Sequence, residues 1–296
     1  MKAYSFYGLS ENCFAPSPNP RYLHLTDQTN ACLFKCRFVI DERQGLSLIV
    51  GKVGYGKTSV LRELVSGYVD DDTNKIVMLP NGNFPTEMQL AKAIAAELGL
   101  PARRSLDAQK MEIRQFAMRT YGEGGNVLLI IDEAQNLFGP LFDFLRELLN
   151  YETDESKVIQ IIIAGQPEIE TKLATKQALV SRIILTNYLD TFTYDDMLQA
   201  LEHRVRVAGG GKKLSAVIDE AGCKAVYLAS KGVPREIMKI VNASMLLGAL
   251  NQVKPITEDL VKVAVENVRL SEKDHGREEN NELRTGAQNQ AGVAAT

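Results

Sequence analysis

Two short stretches carry residue types whose spacing can do chemistry. The first, Val50-Gly51-Lys52-Val53-Gly54-Tyr55-Gly56-Lys57-Thr58-Ser59, fits the glycine-rich phosphate loop G-x-x-x-x-G-K-[ST]. The second, Asp132-Glu133-Ala134-Gln135, ends a run of apolar residues. A loop of the first kind before a helix presents unpaired backbone N–H groups, and the helix dipole favours anions there. Gly51, Val53, Gly54, Tyr55, Gly56, Lys57, Thr58 and Ser59 are the expected cradle for ATP. Lys57 reaches the β- and γ-phosphates and the Thr58 hydroxyl faces Mg²⁺. A chance glycine turn before an ordinary helix is the plain alternative.

The Asp-Glu pair complements this loop. Asp132 is placed to complete the Mg²⁺ shell with Thr58. Glu133 is placed to orient and deprotonate a water attacking the γ-phosphate. An Asp-Glu pair alone would more simply be a solvated helix cap. Further on, Gln166 follows an apolar strand and either senses the γ-phosphate or caps the next helix. Arg182 precedes a strand at the domain edge, where it can serve only a neighbour's nucleotide. Arg235 follows Pro234, a residue suited to the first turn of a helix, and can fold onto the γ-phosphate within one subunit. For either arginine, a surface salt bridge is the ordinary alternative.

These residues need a frame to position them. Leu46 to Val50 reads as a buried strand, with Val60, Leu61, Leu64 and Val65 on one face of the helix after the loop. Strands follow at 75–79, 126–131, 158–164 and 183–189, with helices at 84–98 and 106–121 between them. Continuous apolar strands alternating with helices predict an α/β fold: a parallel sheet covered by helices on both faces. Residues 191–270 carry no strand pattern and predict four helices, a small helical lid. The expected division is an arm and adenine-side helix over 1–45, a nucleotide-binding domain over 46–190, a lid over 191–270 and a disordered polar tail over 271–296. In the arm, Thr26 predicts a helix cap, and Tyr22 either closes over the adenine or simply packs.

Composition narrows the class. The chain has 296 residues, 45% hydrophobic and 24% charged, ordinary for a globular protein. Its net charge of −3 leaves any DNA contact to a local basic patch. Arg103, Arg104, Lys110, Arg114 and Arg119 form the candidate patch, although a solvated helix face is the usual explanation for such a run and outranks DNA contact. Cys13, Cys32, Cys36 and Cys223 lack metal-ligand spacing and read as buried thiols. No stretch approaches the ~18 apolar residues of a membrane span, so a cytoplasmic protein without direct membrane insertion is expected.

Beyond the motifs, the chain resembles the AAA+ ATPases of the ExeA/GspA type and the TnsC and TniB regulators of DNA transposition. The resemblance runs over roughly residues 4–268. It rests on Tyr7-Gly8-Leu9, 18–23, the phosphate loop, 129–137, 148–153, 160–168, Ser181-Arg182-Ile183, 203–210 and Gly232-Val233-Pro234-Arg235. It implies a P-loop AAA+ fold and a homo-oligomeric ring or filament, with Gln166 as first sensor, Arg235 as second sensor and Arg182 as the finger acting across subunits. Arg204 is the alternative finger. Secretion ATPases of this type continue through a membrane span, whereas this chain ends in a polar tail. That favours a transposition regulator assembling on duplex DNA without sequence preference and recruiting a transposase or target selector. The alternative is a secretion-associated ATPase working through a membrane partner.

Overall fold

A computed structural model of the chain describes residues 2–15, 19–154, 156–209 and 211–268. In chain order the elements are α1 (Ala3–Phe6), α2 (Asp27–Asp41), β1 (Leu46–Val50), α3 (Lys57–Ser66), β2 (Asn74–Leu79), α4 (Glu87–Glu97) and α5 (Leu106–Gly122). Then come β3 (Asn126–Ile131), α6 (Gly139–Leu148), β4 (Ile159–Gly165), α7 (Glu168–Ala174), α8 (Gln177–Val180) and β5 (Ile183–Tyr188). Helices α9 (Tyr194–Gly209), α10 (Glu220–Ser230) and α11 (Pro234–Leu250) follow, and residues 258–268 are also helical. The described residues form two compact units, one over 19–191 and the other joining 2–15 to the chain from 192 to 268.

The first unit is built on five parallel strands in the order β2-β3-β4-β1-β5. Side chains alternate across the sheet with the period of two that a strand imposes. Ile49, Leu128, Ile130, Ile162 and Ala164 pack on one face against Cys32, Leu33, Cys36 and Ile40 of α2 and Val60, Leu61 and Leu64 of α3. Leu48, Val50, Leu129, Ile131, Ile161 and Ile163 pack on the other against α4, α5 and α6. Strands buried on both faces explain why β1, β3 and β4 read as unbroken apolar runs. Helix α2 starts where Thr26 predicted it, its side chain accepting from Thr29 N–H, a cap that contributes about 1 kcal/mol.

Register decides where the chemistry emerges. Val50 pairs with Gly165 and Ile131 with Ile163, so the segments after β1, β3 and β4 leave one edge of the sheet together. At the opposite edge, Leu46 pairs with Ile183, the first residue of β5.

The second unit is helical and takes in the start of the chain. Residues expected to lie with an arm over 1–45 divide at the prolines. The Tyr7 hydroxyl donates to the Val253 carbonyl at 3.1 Å, Ser10 Oγ to Ala208 O at 2.7 Å, and Asn12 Nδ2 to Asn242 Oδ1 at 2.9 Å. Tyr7 and Phe14 are fully buried, so the aromatic density of the N-terminus is core of the helical unit. Burial pushes the Tyr7 hydroxyl up to about 12. The expected polar tail over 271–296 lies outside the described residues. All four cysteines are free and buried.

Candidate nucleotide site

The loop 51–56 leaves β1 and α3 begins at Lys57, with Gly56 as its cap in the left-handed region at φ 91°. Gly54 is also left-handed, at φ 82°. A side chain at either would be strained, and Gly56 offers α3 no side-chain cap. The first N–H groups of a helix have no carbonyl within it to bond, so these point outward from the loop. At Gly51 the constraint is space: a Cβ there would lie 3.2 Å from the Leu189 Cβ and carbonyl oxygen, tighter than an ordinary contact. Val53 is 55% exposed at the loop tip, and Tyr55 packs against the cluster beneath α2 and α3.

Lys57 is 5% exposed, and its Nζ donates to the Gly51 and Lys52 carbonyls at 2.7 and 3.2 Å. Asp132 is 3% exposed. The Thr58 hydroxyl donates to Asp132 Oδ2 at 2.5 Å, and Glu133 N–H donates to Asp132 Oδ1 at 2.8 Å. Neighbouring oxygens around an octahedral Mg²⁺ stand ~3 Å apart, so the Thr58 hydroxyl and Asp132 carboxylate are spaced to share one such shell. A buried ammonium, a helix N-terminus and this oxygen pair make a donor set that fits a metal-bound triphosphate.

Glu133 itself adopts the left-handed conformation, φ 48° and ψ 40°, directly after β3. Its Oε2 accepts from Gln135 Nε2 and from Gln166 Nε2, the latter at 3.3 Å. Gln166 lies just beyond β4, and its backbone N–H donates to Gln135 Oε1 at 3.0 Å. The structure therefore brings Lys57, Thr58, Asp132, Glu133 and Gln166 to one edge of the sheet. Gln135, part of the second stretch but given no role there, and Lys172, which no motif singled out, join them. Lys172 Nζ donates to the Gln135 and Leu137 carbonyls, the latter at 3.1 Å. Gln135 had one visible sign, a polar side chain two residues beyond the proposed base.

Tyr22 lies in the single turn Pro20–Tyr22, which packs beside α3. It is 4% exposed, with the Arg21 guanidinium 5.7 Å from its ring centroid. Packing accounts for most of the ring's surface.

Arg182 stands at the other edge, separated from the phosphate loop by the length of β1, roughly 13 Å at ~3.3 Å per residue. Its guanidinium donates to Ala178 O at 2.7 Å and to Asn150 Oδ1 at 2.8 Å. Burial and the Arg182 charge push neighbouring Lys157 below the usual lysine range. Arg235, in the helical unit, is exposed at the second position of α11. Arg204 belongs to the same unit and donates to Cys13 O at 2.6 Å.

The candidate basic patch does not present five free cations. Arg103 pairs with Glu112 at 2.7 Å, and Lys110 pairs with Glu147 beside the Phe144 ring. Arg114 lies 5.7 Å from the Tyr151 ring centroid, and Arg104, Arg114 and Arg119 are exposed. Among the described residues, no helix is long and apolar enough to cross a membrane.

Comparison with known proteins agrees with this frame. Residues 40–173 match a family model described as AAA domain. General secretion pathway protein A of Aeromonas hydrophila is 29% identical over 245 residues, 81% of this chain and 44% of that protein. ORC1-type DNA replication protein 8 of Halobacterium salinarum is 25% identical over 244 residues, 74% of this chain and 58% of that one. The chain thus spans about half the length of these curated relatives. Among solved structures, the Aeropyrum pernix ORC2 protein in its ADPNP-ADP complexes is similar with a TM-score of 0.64 at 17% identity, over 88% of this chain and 72% of that one. The Aeropyrum pernix ORC1 protein in complex with DNA gives a TM-score of 0.65 at 14% identity, over 86% of this chain and 68% of that one. The fold is the P-loop AAA+ sheet flanked by helices, followed by a helical region.

Proposed function

We propose that this chain binds ATP with Mg²⁺, hydrolyses it to ADP and phosphate, and assembles with copies of itself on duplex DNA. The observation that carries the enzymatic part is the convergence of Lys57, Thr58, Asp132, Glu133 and Gln166 at one sheet edge. Backbone N–H groups from Gly51 to Ser59 hold the phosphates, Lys57 neutralises the β- and γ-phosphoryl charge, and Tyr22 flanks the adenine. Thr58 and Asp132 would hold Mg²⁺, which would supply charge neutralisation on the transferring group. Glu133 takes the proton of the attacking water as its oxygen bonds to the γ-phosphorus and the bond to ADP breaks. Gln166 reports the γ-phosphate, and the family resemblance gives Arg235 the role of second sensor.

Arg182 gives the assembly its purpose. Fixed at the far edge of its own sheet, it serves the nucleotide of the next subunit, with Arg204 the alternative. DNA binding is supported by the likeness to an ORC protein solved on DNA, and Arg104, Arg114 and Arg119 are exposed for phosphate contact. Such contact is sequence-independent and salt-sensitive. The specific role is regulation of DNA transposition from the cytoplasm, choosing the target and recruiting the transposase, to which the family resemblance points. A second reading, a secretion-associated ATPase acting through a membrane partner, is favoured by the match to general secretion pathway protein A.

Electron microscopy with duplex DNA and a non-hydrolysable ATP analogue tests the proposal. Nucleotide-dependent rings or filaments on DNA are expected, lost in Lys57→Ala together with ATP binding. Tight ATP binding retained by Lys57→Ala contradicts the loop assignment. Assembly indifferent to DNA but dependent on a membrane fraction favours the second reading.

A further inference from the structure

The proposed base Glu133 is not held by its own strand. Its carboxylate is turned into a pair of side-chain amides, those of Gln135 and Gln166, and the Gln135 amide is used at both ends. A carboxylate only accepts, so Nε2 of Gln135 must face Glu133. That leaves Oε1 facing the Gln166 N–H, where an acceptor is required. A flipped amide would set oxygen against oxygen and N–H against N–H, so the two contacts enforce one orientation.

The backbone around Gln135 is fixed as well. The turn Ala134–Asn136 that carries it is pinned by Lys172 through the carbonyls of Gln135 and Leu137. A Cβ at Gly165 would lie 3.2 Å from Gln135 N and 3.3 Å from its Oε1, tighter than an ordinary contact, so a larger residue there would press on the turn that carries Gln135. We infer that Gln135 is a positioning residue that orients the Glu133 carboxylate and ties that orientation to Gln166. When Gln166 Nε2 turns to a phosphate oxygen, Gln135 Nε2 still holds Glu133 towards the water. The inference rests on the reading of Glu133 as base and Gln166 as phosphate sensor.

The test measures kcat and ATP dissociation constants in the full chain with duplex DNA present. Gln135→Met removes both polar ends at nearly constant volume, and kcat should fall about tenfold or more with ATP affinity within about twofold of the parent. Gln135→Glu keeps the acceptor for the Gln166 N–H but sets a second carboxylate against Glu133. It should lose at least as much, and it serves alone if Gln135→Met does not fold. In a Glu133→Gln background, Gln135→Met should cost nothing further, because the group it orients no longer takes a proton. A parental kcat in either single variant overturns the inference, as does a full additional loss in the Glu133→Gln background. A parent chain that binds no ATP or turns none over is a different failure: it removes the reading itself, and the inference with it.

Discussion

The two edges of the central sheet, where its parallel strands end and where they begin, are finished in opposite ways. At the edge where β1, β3 and β4 end, the backbone bends into left-handed positions at Gly54, Gly56 and Glu133. Its polar side chains, Lys57 and Asp132, are withdrawn from solvent. At the edge where β1 and β5 begin, the cations are partly exposed and tied down by carbonyls. Arg182 is held by Ala178 O and Asn150, and Arg43 by Gly124 O and Gly125 O. A surface cavity of about 520 Å³ opens there, lined by Arg43, Gln44, Glu152, Thr153 and Lys157 among others. In the function proposed above, one edge receives the phosphates of the nucleotide, and Arg182, fixed at the other, serves the nucleotide of a neighbouring copy. In that proposal each copy carries two halves of different sites, the arrangement that a head-to-tail assembly needs.

Mutations at the two edges should separate cleanly. Arg182→Ala is expected to cost most, ~10³–10⁵ in kcat with ATP affinity unchanged, since fingers of this kind act on the transition state. Weakened ATP binding in that variant, measured by fluorescence titration, would place Arg182 at its own nucleotide and erase the distinction between the edges. Glu133→Gln should lose ~10²–10⁴ in kcat while trapping an ATP-bound assembly visible by electron microscopy. Near-parental turnover would move the base elsewhere. Asn150→Ala frees one side of the Arg182 guanidinium and should slow turnover roughly tenfold with no change in ATP binding. An effect on binding would again mix the edges. Tyr7→Phe, far from either edge in sequence, should leave kcat alone and lower unfolding stability by about 1 kcal/mol, read by denaturant titration.

Much of the candidate nucleotide edge was legible in the chain, because it is encoded locally. The loop 51–58 states its glycines, lysine and threonine consecutively, and β3 runs straight into Asp132-Glu133. Continuous apolar strands announced a sheet buried on both faces. The contacts that finish the site are not local. Gln135 meets Gln166 across 31 residues, and its amide direction emerges only once β3 and β4 lie side by side. Asn150 meets Arg182 across 32 residues, with no pattern linking them. The start of the chain was hardest to place. Tyr7 and Phe14 read as an aromatic arm, but the partner of Tyr7 lies 246 residues away, and no local periodicity encodes such a pairing. In the basic run, spacing on a helix face could not reveal that Glu112 and Glu147 already engage Arg103 and Lys110.

The most direct measurement mixes two inactive chains. Glu133→Gln keeps Arg182, and Arg182→Ala keeps Glu133, so random co-assembly leaves roughly a quarter of the head-to-tail junctions with both groups intact. ATP hydrolysis by the equimolar mixture should rise well above that of either variant alone. If the mixture stays as inactive as its components while still assembling, the two edges do not complete one another's sites, and the account is contradicted.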